Sequence, residues 1–267
     1  MSFVTVDAPR PHVRRILLNR PERLNALSFA LVDPLYRAIE AVRDDNECRV
    51  AILTGAGRGF CSGLDLEDAG MPPGIAGLPM SRIAIRAMEH MAGIVPALRA
   101  LPQPVIAAVN GPAYGGCLCL ALGADLRLAG ESARFCGAGV NNGLTGTELG
   151  VSWILPRLIG AARAWEILLS GREVEAREAE RIGLVTRMVP DAELEGVALA
   201  LADRLCELSP HGVAMTKKVL WANLESVSLE QAMDLENRNQ LLVRLTTQNL
   251  DEAIRARREG RPPRYLD

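Results

Sequence analysis

The sequence has few of the side chains that bind metals or nucleic acids. Its 267 residues include three histidines, and its six cysteines form no C-x-x-C pair, so we expect no metal site. Lysine and arginine number 30 against 32 aspartates and glutamates, which gives a formal net charge of −2. Nonspecific binding to nucleic acid needs a concentrated basic surface, so this balance predicts no nucleic-acid partner.

Long apolar runs are also missing. No stretch of about 18 uncharged apolar residues occurs, so we expect no membrane span. The first ten residues lack the apolar core of a secretory signal, which predicts a cytoplasmic protein with reduced cysteines. An even number of cysteines does not by itself imply disulfides. The cysteines are Cys48, Cys61, Cys117, Cys119, Cys136 and Cys206.

The pattern of apolar runs and turn residues predicts an α/β chain. Strands are predicted at residues 13–18, 50–54, 105–109, 126–129 and 133–136. Helices are predicted at 29–43, at 81–100 with a bend at Pro96, from Glu148 onward, and over almost all of 192–259, whereas 69–80 is predicted as a loop. We therefore expect a core over residues 1–200 and a helical region over 201–267. The apolar stripe of that region must cover its own core or a neighbouring subunit.

Two segments, residues 51–66 and 105–117, share one design, in which a buried strand leads through glycines into the start of a helix. Backbone N–H groups at a helix start are unpaired, and two of them that converge on one point form an oxyanion hole. The residue types leave open the alternative that the glycines serve only close packing. A dinucleotide-binding loop is not favoured, because the third glycine of G-x-G-x-x-G would fall at Phe60. The hydrolase motif G-x-S-x-G is absent.

Several segments, in chain order, together resemble the crotonase superfamily, also called the enoyl-CoA hydratase/isomerase family. They are ILLNRP (16–21) with NAL (25–27), GFCSGLDL (59–66), PVIAAVNG (104–111) with GG (115–116), LPRLIG (155–160) and SP (209–210). The resemblance covers nearly the whole chain. It implies a spiral of ββα units followed by helices used in trimerisation, in a homotrimer or a dimer of trimers.

The resemblance also implies the ligand and its main contacts. The ligand would be an acyl-CoA thioester, with coenzyme A as part of the substrate and no further cofactor. The thioester oxygen would lie between the backbone N–H groups of Leu64 and Gly116. The main chain at Cys61 and Leu64 would lie near the adenine. Arg23 would contact the CoA phosphates, unless it is a solvated loop arginine.

Further residues are expected at this site with smaller roles. Asp65 is expected to brace the turn by hydrogen bonds rather than to react. Tyr114 and Trp153 are candidates for an acyl tunnel, although aromatic residues at such positions also serve as ordinary core. The remaining expected contacts are Ala26, Ser62 and Leu66.

The side chains that would choose the reaction depart from the family pattern. Family hydratases use two glutamates, and the matching positions here are Cys119 and Gly139, so two-glutamate hydration is disfavoured. Glu148 matches an aspartate used by family dienoyl-CoA isomerases and by a dehalogenating branch, where a carboxylate moves a proton. The alternative for Glu148 is a glutamate in the first turn of a helix. We therefore predict an enzyme that isomerises or hydrates an enoyl-CoA, or alternatively a non-catalytic acyl-CoA-binding protein.

Overall fold

The computed structural model describes residues 2–266. The strands in this range are β1 (Val4–Arg10), β2 (Val13–Leu18), β3 (Val50–Gly55), β4 (Val105–Val109), β5 (Pro112–Tyr114), β6 (Leu126–Gly130), β7 (Arg134–Cys136), β8 (Val174–Glu175) and β9 (Arg187–Val189). The α-helices are α1 (Phe29–Asp44), α2 (Met80–Ala92), α3 (Ile94–Arg99), α4 (Gly116–Leu122), α5 (Val151–Ile159), α6 (Ala161–Ser170), α7 (Ala176–Ile182), α8 (Leu194–Cys206), α9 (Pro210–Asn223), α10 (Leu229–Thr246) and α11 (Asn249–Glu259).

The strands form a large sheet and a small one. The large sheet has the order β1-β2-β3-β4-β6-β9, and all its pairs are parallel except the antiparallel pair β1–β2. The small sheet has the order β5-β7-β8. Along the chain, β4, β5 and α4 are followed by β6, β7 and α5, so each turn adds one strand to each sheet and then a helix. This alternation confirms the predicted spiral of ββα units.

The inner strands of the large sheet are apolar because both of their faces are covered. Ile52 and Ile106 pack against Leu194 and Ala198 of α8. The neighbouring residues along the same strands, such as Leu53, point to the opposite face and join the main core with α1, α3 and α4. The predicted strands at 13–18, 50–54, 105–109, 126–129 and 133–136 are all present, to within one residue at their ends.

The predicted helix over 81–100 divides into α2 and α3, and the break lies at Gly93 rather than at Pro96. A Cβ at position 93 would lie 2.5 Å from the hydroxyl of Tyr36, so this close approach of α1 requires glycine. Pro96 is the third residue of α3, where its missing N–H costs no intrahelical hydrogen bond. The prediction that almost all of 192–259 is helical is confirmed, and this region consists of the four helices α8 to α11.

The helix α9 is fastened to the core by a buried ion pair. The ammonium group of Lys217 donates to the Asp125 carboxylate at 2.8 Å and to the Gln103 carbonyl at 2.9 Å. The indole N–H of Trp221 donates to the other Asp125 oxygen at 2.6 Å. Burial lowers the pKa of Lys217, and the Asp125 charge opposes that change.

The predicted division of the chain at residues 200 and 201 stays a prediction.

Beyond α9, the chain leaves many large apolar side chains exposed. The exposed apolar residues of α10 and α11 are Leu229, Met233, Leu241, Leu242, Leu245, Leu250 and Ile254. Such an apolar surface is typical of a contact with another protein surface. No helix in the described range is long and apolar enough to cross a membrane.

Candidate active site

The first predicted donor, Leu64, lies on a turn that main-chain bonds hold beside the start of α1. The Leu27 N–H donates to the Gly63 carbonyl at 2.7 Å, and the Asp65 N–H donates to the Leu27 carbonyl at 2.8 Å. In such a parallel bridge the central residue of the partner segment, here Leu64, turns its own N–H away from Leu27. No acceptor within residues 2–266 takes that N–H.

The second predicted donor, Gly116, is the first residue of α4, where an N–H has no intrahelical acceptor. The preceding residue, Gly115, has φ +53° and ψ −126°, a backbone conformation that side chains disfavour. Its own N–H donates to the Cys136 carbonyl at 2.8 Å. The Gly116 N–H therefore stays without an acceptor in the part of the chain that the structure describes.

The two turns that carry Leu64 and Gly116 lie side by side. The Cys61 N–H donates to the Pro112 carbonyl at 2.9 Å, and the Tyr114 N–H donates to the Cys61 carbonyl at 3.1 Å. A Cβ at position 63 would lie 3.1 Å from the Tyr114 carbonyl oxygen, and Gly63 has φ +99°, so both the close contact and the backbone conformation favour glycine. This closeness is compatible with the expected oxyanion hole, which stays a prediction.

Glu148 brings a carboxylate to this pair of glycines. A Cβ at position 115 would lie 3.0 Å from its Oε1, and a Cβ at position 116 would lie 3.7 Å from its Oε2. The side chain is half-buried, and burial raises its pKa. No hydrogen-bond donor among the described residues engages the carboxylate, which leaves it available to a ligand.

Glu148 does not belong to a helix. The prediction that helix begins at Glu148 is wrong, because α5 begins at Val151 after a turn through Leu149 at φ +46° and Gly150 at φ +89°. The Glu148 carbonyl accepts the Val151 N–H at 2.9 Å. The alternative role as a first-turn glutamate therefore does not describe this residue.

Cys119 lies directly behind Glu148. Its thiol is buried and donates to the Glu148 carbonyl at 3.3 Å. Burial raises the pKa of this thiol, and the nearby Glu148 carboxylate raises it further. A neutral thiol that already donates to the main chain is a poor base, and its evident effect is to hold the backbone that carries Glu148.

Gly139 occupies a place that has no room for any side chain. A Cβ there would lie 1.9 Å from the Thr145 carbonyl oxygen. The loop through Thr145 and Gly146 therefore fills the space beyond this buried glycine. Neither position at which family hydratases are expected to carry glutamate has a carboxylate here.

Asp65 braces the turn behind Leu64. One of its oxygens accepts the N–H groups of Glu67 and Asp68, both at 3.1 Å, and the other accepts Arg20 Nη1 at 2.8 Å. The Arg23 guanidinium donates at 2.7 Å. Its hydrogen bonds hold the pKa of Asp65 well below its usual range despite burial.

The pairing of Arg23 bears on its predicted contact with CoA phosphates. The guanidinium also pairs with Glu67, and about a third of the side chain is exposed. The phosphate contact stays a prediction, and a phosphate would have to share the guanidinium with two carboxylates.

The other predicted contacts are distributed around this centre. Ala26 is buried, Ser62 donates to the Arg23 carbonyl at 3.5 Å, and Leu66 is exposed. The Tyr114 hydroxyl donates to the Glu173 carboxylate. Trp153 lies between the guanidinium groups of Arg99 and Arg157, on the side that faces α9. The structure thus brings together Leu64, Gly116, Cys119 and Glu148, and places Trp153 in a different contact.

Two asparagines hold the first turn in place. Both are parts of the motifs quoted from the sequence, and neither was assigned a role there. Asn25, fully buried at φ +57°, donates to the carbonyls of Gly59 at 2.8 Å and Phe60 at 3.3 Å. Asn110 donates to the Gly55 carbonyl at 2.8 Å and accepts the Gly55 N–H at 3.2 Å. Asparagine tolerates the left-handed backbone region, which is a sequence signal for such an anchor at Asn25.

The expectation that all cysteines are reduced is wrong for one pair. Cys61 and Cys117 form a disulfide, whereas Cys48, Cys119, Cys136 and Cys206 are free. The two partners are 56 residues apart in sequence, and the bridge between Cys61 and Ala113 brings them together. Within residues 2–266, no cluster of histidine, cysteine, aspartate and glutamate side chains could hold a metal ion.

Comparison with known proteins identifies the family of the chain. The sequence profile of the enoyl-CoA hydratase/isomerase family matches residues 10–267. A protein of Mycobacterium bovis described as a probable enoyl-CoA hydratase is 52% identical over 267 residues, which cover 100% of this chain and 94% of that protein. The chain therefore belongs to the enoyl-CoA hydratase/isomerase family, and it is an acyl-CoA-binding enzyme of that family.

Solved structures show the same fold. A probable enoyl-CoA hydratase/isomerase from Mycobacterium abscessus is 47% identical and superimposes with a TM-score of 0.95, covering 100% of this chain and 99% of that one. A structure described as a monofunctional enoyl CoA isomerase from M. smegmatis is also 47% identical, with a TM-score of 0.75, and it covers 87% of this chain and 99% of that one. The predicted resemblance and fold class are thereby confirmed.

Proposed function

We propose that the enzyme moves the double bond of an enoyl-CoA, with Glu148 as the group that carries the proton. The observation that supports this proposal is the position of the Glu148 carboxylate, which lies beside Gly115 and Gly116 without a hydrogen-bond donor from the described chain. The thioester oxygen would accept the N–H groups of Leu64 and Gly116. One such donor contributes roughly 10²–10³ to kcat in other enzymes.

The proton balance of the reaction needs only one carboxylate. Glu148 removes a proton from C2 of a 3-enoyl thioester, and the electron pair moves onto the thioester oxygen as a dienolate. When the thioester carbonyl re-forms, C4 takes the proton back from Glu148, which leaves a 2-enoyl thioester. Burial raises the pKa of Glu148, and a carboxylate with a raised pKa is the stronger base. No cofactor beyond the CoA of the substrate takes part.

Hydration is the second candidate, since relatives carry that description. It requires a positioned water as well as a proton carrier. The Cys119 thiol is buried and occupied with the Glu148 carbonyl, and the place of a side chain at Gly139 is filled by the Thr145 carbonyl. These contacts favour isomerisation, as does the solved isomerase with 47% identity. A homotrimer or a dimer of trimers, built through the exposed apolar residues of α10 and α11, stays part of the proposal.

An NMR time course with trans-3-hexenoyl-CoA in deuterated buffer tests this function, beside a control without protein. We expect conversion to the 2-enoyl thioester, with deuterium incorporated to the extent that the proton on Glu148 exchanges with the buffer before it reaches C4. Appearance of a 3-hydroxyacyl thioester as the main product would overturn isomerisation in favour of hydration. Broadened ligand signals with neither conversion nor exchange would overturn it in favour of a non-catalytic acyl-CoA-binding protein.

A further inference from the structure

Cys61 and Cys117 each lie near one of the predicted oxyanion donors in the sequence. Cys61 precedes Leu64 by three residues, and Cys117 directly follows Gly116. Their Cα atoms are 5.4 Å apart, within the range of 4.4–6.8 Å that disulfides span. Both side chains are fully buried.

The two cysteines lie on the two turns of the site, which main-chain hydrogen bonds also join. Main-chain hydrogen bonds already join Cys61 to Pro112 and Tyr114, and the Gly63 N–H points at Cys117 Sγ from 3.2 Å. A bond between the sulfurs adds a covalent link across the same contact. The other four cysteines have no such partner in the described chain.

We propose that Cys61 and Cys117 form a reversible redox site that clamps the two turns together. Hydrogen peroxide is the oxidant that suits buried sulfurs, because it is small. One thiol loses its proton and attacks the peroxide as a thiolate, the O–O bond breaks, a sulfenic acid forms, and the leaving hydroxide takes that proton and departs as water. The second thiol likewise loses its proton and displaces the sulfenic oxygen as hydroxide, which takes that proton to form a second water, so two thiols and one peroxide give one disulfide and two waters. A dithiol reverses the step by thiol–disulfide exchange.

The clamp has a consequence for stability that does not depend on turnover. A disulfide between distant residues restricts the unfolded chain, so the oxidised protein is the more stable form. For a chain of this length, we expect the Tm of the oxidised form to exceed that of the reduced form by roughly 5–15 °C.

Peptide mapping of the folded wild-type protein is the first test. The protein is reduced with dithiothreitol, desalted, treated with hydrogen peroxide, then denatured in N-ethylmaleimide and digested with trypsin. Cleavage after Arg58, Arg82, Arg99 and Arg127 puts Cys61 in peptide 59–82 and both Cys117 and Cys119 in peptide 100–127. We expect the two peptides to be linked after oxidation and separate, with all thiols alkylated, after reduction.

Two matched variants identify the partner sulfur. The link should survive Cys119→Ser and disappear in Cys117→Ser. The Tm of Cys119→Ser should still respond to peroxide, as should that of Cys48→Ala, which removes a buried cysteine elsewhere. Full alkylation of Cys61 in the oxidised wild-type protein, or loss of the link in Cys119→Ser, would overturn the proposal. None of these measurements uses an acyl-CoA, so their outcome is independent of the proposed function.

Discussion

The site has two halves that are built from different parts of the chain. One half consists of main-chain N–H groups, those of Leu64 and Gly116, held by bridges, turns and the side chains of Asn25 and Asn110. The other half consists of side chains at Cys119, Gly139 and Glu148. The first half depends on backbone geometry and is almost indifferent to the side chain that accompanies each donor. The second half depends on side-chain identity, and under the proposed function it would decide which reaction follows once the thioester is bound.

The largest effect is expected in the side-chain half. Replacing Glu148 by glutamine keeps the shape and removes the base, so isomerisation should slow by roughly 10²–10⁴-fold. Turnover of 3-hexenoyl-CoA measures this loss. Folding should not suffer, because burial already disfavours the charged carboxylate. Glu131→Gln, in an exposed loop, is the matched control. Unchanged turnover in Glu148→Gln would remove Glu148 from the mechanism.

A large loss of stability is expected where the backbone half is braced. Asp65→Asn removes the carboxylate that Arg20 and Arg23 share. Leaving the buried Arg20 without this partner should cost about 3 kcal/mol of the free energy of unfolding at pH 7, the low end for a buried pair, whereas the partly exposed Arg23 keeps Glu67. Urea unfolding measures it. The pKa of Asp65 is lowered in the folded state, so its contribution is present above about pH 4 and is lost as pH falls toward the folded pKa. A difference between wild type and variant that persists undiminished at acid pH would contradict this account.

A smaller loss of stability is expected at Gly139, in the side-chain half of the site. Gly139→Ala puts a methyl group against the Thr145 carbonyl, and such overpacking costs about 1–3 kcal/mol. Gly196→Ala is the matched control, because nothing lies within 4 Å of its Cβ and it sits inside α8. That control should be stabilised by about 0.5–1 kcal/mol. Thermal unfolding of both variants compares the two positions, and equal Tm values would contradict the crowding at Gly139.

The fall of kcat/KM at low pH tests whether Glu148 acts as the base. A base must be deprotonated to act, so kcat/KM should fall as pH drops through its pKa. Because burial raises this pKa, the midpoint should lie above the value of about 4.3 for a free glutamate. A midpoint at or below that value would mean that another group limits the rate.

The smallest effect is expected at the side chain of a main-chain donor. Leu64 is 45% exposed, and only its N–H is assigned to the reaction. Leu64→Ala should therefore change kcat by less than about tenfold, well below the 10²–10³ expected for loss of a donor. Steady-state kinetics with an accepted enoyl-CoA measures it. A loss above a hundredfold would show that this half also depends on its side chains.

The sequence contained enough information to predict the parts of the fold that rest on local pattern. The apolar runs of β2, β3 and β4 predicted inner strands, because strands that are buried on both faces consist mostly of apolar residues. Strand β1 was not predicted, since its edge position gives it polar residues and Pro9. Strands β5, β8 and β9 have only two or three residues, and they exist because a distant segment pairs with them.

The site, like the fold, was predictable where it depends on local motifs. The motifs around Leu64 and Gly116 are local, and so is the missing carboxylate at Cys119. The approach of Thr145 to Gly139 and the pairing of Cys61 with Cys117 depend on tertiary contacts that no spacing in the sequence reveals. The start of α5 was misplaced because Leu149 adopts a left-handed conformation that leucine rarely takes.

The crowding at Gly139 restricts the order in which mutations can accumulate. A codon change that puts a carboxylate at this position meets the Thr145 carbonyl before it can assist any reaction. The loop at 143–147 would have to move to make room for it. A gain of hydration at this position therefore depends on two places in the chain, the neighbouring loop as well as the residue that is missing.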